Sequence, residues 1–209
     1  MEYSDKQVQI METAETLFAE KGFNGTSVRD IAEKAQVNLA MISYYFGSKD
    51  KLLEALFSYR GEHLKLKLES IIENKHMSSF DKMNTLVDHY IDKVMQQQCF
   101  SRIMAREQVL NHTGITAELI FQMKKRNQEL ISKLIHEGQK KGEFRKNIDI
   151  PLMMATLVGT TNSLVATQYY YREINNLQSM ADEEFQKHLK KKLSQHLKKL
   201  FKAILTNEE

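Results

Sequence analysis

The sequence predicts an all-α fold of about nine helices. Three observations carry that expectation: apolar residues recur at helical spacing through most of the chain, the 209 residues include one proline and eight glycines, and no Asn-Gly or Asp-Gly pair joins two alternating apolar runs as a hairpin would require. Asn24-Gly25 falls between helical patterns instead. With 42% hydrophobic and 27% charged residues, the composition is that of an ordinary soluble globular protein, long enough for one large or two small cores.

From Val8 onward, Ile10, Ala14, Leu17 and Phe18 recur at i, i+4, i+7 and i+8 on one face of a first helix that stops at Gly22, where glycine takes a left-handed cap without strain. After Phe23-Asn24-Gly25, either Thr26 or Ser27 can cap a short second helix through Val28, Ile31, Ala32 and Ala35. The Ser27/Asp30 pair permits a capping box with Asp in the usual Glu or Gln place. A break at Gln36-Val37 precedes a third helix capped by Asn38 and carrying Met41, Ile42, Tyr45 and Phe46. Two short helices joined by about three residues form a helix-turn-helix. Gly47 ends the third helix, Ser48 caps a fourth, and the apolar positions from Leu52 to Ile72 extend that one to Asn74. Further patterns cover residues 79–97, 99–111, 115–141, 149–173 and 182–206, with polar breaks at His112-Thr113-Gly114 and Lys140-Lys141-Gly142. No Pro/Gly/Ser-rich hinge separates the first three helices from the rest, so the boundary is expected at the fourth: residues 1–50 as one domain, 51–209 as the other.

A single cysteine, Cys99, excludes an internal disulfide framework and a thiolate zinc site, which fits a cytoplasmic protein. Met1-Glu2-Tyr3-Ser4-Asp5 lacks the basic flank and apolar core of a signal peptide, and no apolar stretch approaches the ~18 residues of a membrane span. The net charge of +3 is unevenly spread. Residues 1–49 hold five Lys/Arg against seven Asp/Glu, whereas lysine accumulates between Lys187 and Lys202.

The segment from Gly22 to Leu56 carries a run of ordered features: Lys21-Gly22-Phe23, then Thr26-Ser27-Val28-Arg29-Asp30-Ile31-Ala32, then Ile42-Ser43-Tyr44-Tyr45-Phe46-Gly47-Ser48-Lys49-Asp50-Lys51-Leu52-Leu53. This run resembles the DNA-binding domain of the TetR (tetracycline repressor) family of bacterial transcriptional regulators. The resemblance implies a ligand-responsive, DNA-binding repressor, with DNA contacts at Ser27, Val28 and Arg29, at Asn38, Leu39, Ala40 and Met41, at Ser43, Tyr44 and Tyr45, and at Lys49.

The residues support that assignment in their own terms. A recognition helix needs an apolar side against its scaffold and a small, polar or aromatic side toward the major groove. Ile42, Phe46 and in part Met41 suit the first; Leu39, Ala40, Ser43 and Tyr44 suit the second. Tyr45 is expected to divide itself between contact and support of the helix. Phosphates take helix N-terminal amides, hydroxyls and cations, which Thr26 and Ser27 at the start of the second helix, Arg29, the Tyr44 and Tyr45 phenols and Lys49 supply. Two positions depart from the family pattern: Gln36 stands where glycine is common, at a cost of roughly 1 kcal/mol if left-handed, and Ser43 stands where tyrosine is common. An acidic N-terminal arm predicts shallow salt dependence.

Beyond Leu53 only traces such as Gly142-Glu143-Phe144-Arg145 and Asp149 resemble the family. The helix with Met154, Val158, Thr161 and Val165 is apolar nearly all round, and the last helix bears a stripe at Leu189, Leu193, Leu197, Leu200 and Ile204. These nine positions are the expected interface of a homodimer, the assembly that the resemblance also implies, on a pseudo-palindromic operator of double-stranded DNA. Met83, Tyr90, Met95, Phe100, Met104, Phe121 and Met123 are the candidate pocket for a small, partly apolar effector, methionine being tolerant of irregular packing.

No Gly-x-Ser-x-Gly elbow, phosphate-binding glycine loop or His-Glu-x-x-His motif occurs, so neither catalysis, a metal site nor a cofactor is expected. The basic last helix could lie on anionic lipid, but its apolar stripe reads more simply as an interface with a solvated lysine face. Membrane binding is not expected.

Overall fold

The structure, a computed structural model, describes residues 3–110 and 113–206. Met1 and Glu2 of the acidic N-terminal stretch and His112 of the polar break fall outside them. Among the described residues there are ten helices and no strand: α1 (Asp5–Lys21), α2 (Val28–Lys34), α3 (Leu39–Phe46), α4 (Lys49–Glu73), α5 (Ser79–Gln96), α6 (Gln98–Leu110), α7 (Ile115–Lys140), α8 (Ile150–Ala166), α9 (Gln168–Ile174) and α10 (Asp182–Leu205). No single described helix is long and apolar enough to cross a membrane.

The tenth helix arises where one was expected over 149–173. At Thr167 the chain bends by 73° between α8 and α9. There the backbone leaves helical geometry (φ −106°, ψ 23°), and the Thr167 amide and hydroxyl both donate to the Ser163 carbonyl, at 3.0 and 2.8 Å.

The chain divides into two compact units, each built from two stretches: residues 1–66 with 97–125, and residues 67–96 with 126–209. In the first, Ile10, Ala14 and Phe18 of α1 meet Ile31, Ile42, Leu52, Leu53 and Leu56, and α6 and α7 add Phe100, Ile103, Ile120 and Met123 to the same core. Burying that surface stabilises the unit by about 1.5–3 kcal/mol per large side chain. Two polar contacts fix α1 within it. Glu15, 4% exposed, accepts a 2.7 Å bond from Arg60 Nε on α4. Arg106 on α6 donates to the Glu20 and Lys21 carbonyls, capping the C-terminus of α1.

In the second unit α5 packs against both α8 and α10. Phe185, Leu189, Leu193, Leu197, Phe201 and Leu205 of α10 are buried there. Asp88 on α5 accepts from Ser194 and Lys198, and Asp92 pairs with Lys190. Lys82 Nζ, buried, donates to the Ile72 carbonyl at 2.7 Å and pairs with Glu137 at 3.4 Å, so its charge is compensated. Gly138 is required at its position: a Cβ there would stand 2.2 Å from the Phe144 ring.

This packing corrects the expected dimer interface. Thr161, Val165, Leu189, Leu193 and Leu197 are all buried within a single chain, so they are unavailable to a partner. The apolar stripe of α10 is consumed by the core of its own unit. Met154, Val158, Leu200 and Ile204 are only half-buried.

The turn between α2 and α3 is a Schellman motif. Val37 N donates to the Ala32 carbonyl at 3.0 Å and Gln36 N to that of Glu33 at 3.1 Å, with Gln36 left-handed at φ 53°. Gln9 on α1 adds a 3.0 Å bond to the Ala35 carbonyl. Gln36→Gly removes the steric cost of the left-handed conformation and should stabilise the protein by up to about 1 kcal/mol. Urea denaturation checks this: an unchanged or lower midpoint would refute it.

Candidate nucleic-acid interface

Ser27, not Thr26, caps α2. Its Oγ accepts from the Asp30 amide at 3.0 Å, while the Asp30 carboxylate accepts from the Ser27 amide at 2.8 Å and from its hydroxyl at 2.6 Å. Those bonds, the hydroxyl's first, hold the Asp30 carboxyl below its usual value of 3.8. Thr26 is buried, its hydroxyl directed at the Gly22 and Leu17 carbonyls at 2.9 and 3.3 Å, and so anchors the loop to α1. Val28 packs against the first unit's core, leaving Ser27 and Arg29 exposed.

Asn38 caps α3 by accepting from the Ala40 amide at 2.8 Å, and Gly47 at φ 80° ends the helix by donating to the Ser43 carbonyl. Eight residues make just over two turns, so sidedness is absolute: Ile42 is buried, Met41, Tyr45 and Phe46 are half-buried, and Leu39, Ala40, Ser43 and Tyr44 are exposed. Tyr44 is 83% exposed. Its ring meets that of Tyr45 edge-on at 5.1 Å, and Tyr45 is packed on the core, so one tyrosine braces the other.

Lys49 opens α4, where the sequence places it. Its Nζ donates to the Phe23 and Thr26 carbonyls at 3.0 and 2.9 Å and lies 4.3 Å over the Phe23 ring. Two of its three N–H groups therefore tie α4 to the loop before α2.

Residues 10–56 match the family model for bacterial regulatory proteins of the tetR family, and residues 80–195 match that for the tetracyclin repressor-like C-terminal domain. The chain belongs to the TetR family. It is a DNA-binding regulator of transcription. The probable HTH-type transcriptional regulator YttP of Bacillus subtilis is 34% identical over 137 residues, covering 65% of this chain and 66% of that protein. The transcriptional repressor NicS of Pseudomonas putida is 31% identical over 165 residues, 74% of each. Among solved structures, FadR of Bacillus subtilis in complex with stearoyl-CoA superposes with a TM-score of 0.70 at 20% identity, covering 95% of this chain and 99% of that one. The ketosteroid regulator KstR2 of Mycobacterium tuberculosis reaches 0.71 at 19%, covering 99% and 98%. These two likenesses show the fold.

In this TetR-family chain the seven candidate pocket residues do not share one unit. Met83, Tyr90 and Met95 belong to the second. There Tyr90 Oη accepts from Asn162 Nδ2 at 3.2 Å, and burial pushes its phenol up to about 12. Phe100, Met104, Phe121 and Met123 belong to the first: Phe100 packs edge-on against Phe57 at 5.1 Å and Met123 joins the same core, whereas Phe121 is 59% exposed.

Two expectations follow from this geometry. Tyr44→Ala should weaken DNA binding at least tenfold while lowering the thermal midpoint by no more than a degree or two, whereas Tyr45→Ala should lower the midpoint by several degrees, because of the two rings only that of Tyr45 is packed on the core. Equal midpoints for the two variants would contradict the assignment. Asp30, its carboxyl lowered on folding, contributes stability that is fully present above about pH 5. That contribution disappears as pH falls through and below 3.8, so the stability gap between wild type and Asp30→Ala should close at acid pH. A gap independent of pH would show that the box does not depend on the charge.

Proposed function

We propose that the chain is a repressor that binds a pseudo-palindromic operator as a homodimer and is released by a small, partly apolar effector. The observation that carries the DNA half of this reading is Tyr44, 83% exposed beside exposed Leu39, Ala40 and Ser43 and opposite buried Ile42. DNA binding is assigned to residues 1–50 and regulation to residues 51–209. Ser27, Arg29, Ser43, Tyr44 and Tyr45 offer hydroxyls, an amide terminus and a cation to phosphates, and Val28, Asn38, Leu39, Ala40 and Met41 flank the same surface. Lys49 acts through its remaining N–H and by holding the loop.

The dimer face is the outer side of α8. Leu152, Ala155, Gly159, Ser163 and Ala166 recur there at helical spacing and are exposed, and nothing lies within 4 Å of a Cβ built on Gly159. Small side chains let a second helix approach closely, with Met154, Val158, Leu200 and Ile204 at the margins. Two-fold symmetry then sets the recognition helices ~34–36 Å apart, one turn of DNA. The stearoyl-CoA held by FadR is a precedent in this fold for an elongated apolar ligand. Within the second unit Met83, Met95 and the Tyr90–Asn162 pair offer apolar bulk with a polar fixing point. The protein acts in the cytoplasm, beside the DNA it reads, and carries out no chemistry.

Selection of bound sequences from random duplex DNA should return a palindrome, and sedimentation of the wild type should give a dimer that Gly159→Arg dissociates. Absence of any enriched sequence would overturn the DNA assignment, and a monomer throughout would overturn the dimer. Any compound that releases the operator must, by linkage, bind the operator-bound protein more weakly by the same factor. Equal effector affinity with and without operator would refute release by this route.

A further inference from the structure

The exposed side of α3 lacks the side chains that read bases by paired hydrogen bonds. Such readout uses Arg or Lys on guanine and Asn or Gln on adenine. None of the eight residues Leu39–Phe46 is basic, acidic, histidine or a carboxamide. Asn38, just before them, commits its Oδ1 to the Ala40 amide at 2.8 Å, which fixes the side chain as a cap. What the helix presents instead is Leu39, 41% exposed, next to exposed Ala40, with the hydroxyls of Ser43 and Tyr44 one turn on along the same face. A lone exposed leucine is unremarkable in a soluble protein. Leucine and alanine together at the groove-facing end of a recognition helix form an apolar surface where hydrogen-bonding groups would be expected.

One base edge in the major groove complements such a surface, the C5-methyl group of thymine. The other edges are penalised by it. Cytosine would lose water from its amino donor, and guanine from two acceptors, with no partner on Leu39 or Ala40 to replace it. We infer that α3 selects T·A base pairs in each operator half-site by apolar contact of Leu39 and Ala40 with thymine C5-methyl groups. Ser43 and Tyr44 supply the neighbouring polar contacts. This inference rests on the reading of α3 as the recognition helix and adds the bases it reads.

The test uses the intact chain and the operator selected from random duplex DNA. Synthetic operators carrying uracil in place of thymine, one symmetric pair of positions at a time, differ from the parent only by two methyl groups. At the positions beneath Leu39 and Ala40, each lost methyl should weaken binding roughly fourfold, so that a symmetric pair costs about 15-fold at fixed salt. Leu39→Ala, which removes an exposed side chain and should leave the thermal midpoint unchanged, should bring the thymine-to-uracil ratio at one of those pairs close to one. A residue that merely positioned the helix would weaken both duplexes equally and leave that ratio intact, which would overturn the role of Leu39. Equal binding of thymine and uracil operators at every position, or a selected operator without T·A pairs beneath α3, would overturn the inference while leaving DNA binding standing. No enriched sequence at all would remove the recognition-helix reading and this inference with it.

Discussion

An eight-residue helix with one fully buried side chain cannot hold its own position. Isolated helices shorter than about 12–15 residues are marginal in water, and α3 contributes only Ile42 fully to the core. Its placement is therefore imposed from outside. The left-handed turn at Gln36 sets its direction, the Asn38 cap its start and Gly47 its end. Lys49, by gripping the Phe23 and Thr26 carbonyls, fixes the loop that leads into α2. An exposed surface able to dock on DNA is obtained because neighbouring residues take over the stabilisation that this helix does not provide.

Those neighbours converge on α1. Glu15 and Arg60 join it to α4, Thr26 ties the following loop to its last turn, and Arg106 caps its C-terminal carbonyls from α6. The Glu15 carboxylate is nearly sealed from water, so the ion pair is a matter of geometry as much as of energy: Glu15 without Arg60 would be a buried charge without compensation, whereas Arg60 also pairs with Glu12 at 3.6 Å. Because α6 and the start of α7 belong to the same unit as α1, a displacement of α6 acts on the recognition scaffold through packed side chains and the Arg106 cap. α4 and α7 each run unbroken from one unit's residues into the other's.

The legible features were the local ones. Helical period, the Asn38 cap, the Gly47 stop, the Ser27 cap (one of two candidates with Thr26) and the left-handed turn at Gln36 depend on residues within a few positions of each other. Alternation of exposed and buried positions on α3 was equally readable, because two helical turns leave no ambiguity of phase. Long-range partnerships were not. Arg60 meets Glu15 across 45 residues and Arg106 meets Glu20 across 86, and no local spacing marks either pair. Nor does an apolar stripe name the surface that covers it. Leu189, Leu193 and Leu197 have the pattern of an interface between chains and are covered by their own unit. The break at Thr167 was hidden for a related reason: neither proline nor glycine stands at the bend to mark it.

Charge sets the balance between general and selective attraction to DNA. Across residues 1–66 and 97–125 there are twelve Lys/Arg and twelve Asp/Glu, so the unit that carries α3 is neutral. Several of its cations are also occupied: Lys34 by Glu20, Lys51 by Glu54, Arg60 by Glu15 and Lys49 by backbone carbonyls. Sequence-independent affinity comes from Lys and Arg side chains that neutralise phosphates and release their condensed counterions, and it is the attraction that holds a regulator on the vast excess of wrong sites. A neutral unit gives up much of that attraction and with it the steep dependence on salt. Affinity must then come from shape, hydroxyl and amide contacts to the backbone, and apolar contact in the groove, terms that salt screens far less. The proposed dimer compounds this, since two weak half-site contacts on one rigid body act at high effective concentration. Selectivity then rests on a few uncharged side chains of α3 rather than on the field of the protein as a whole.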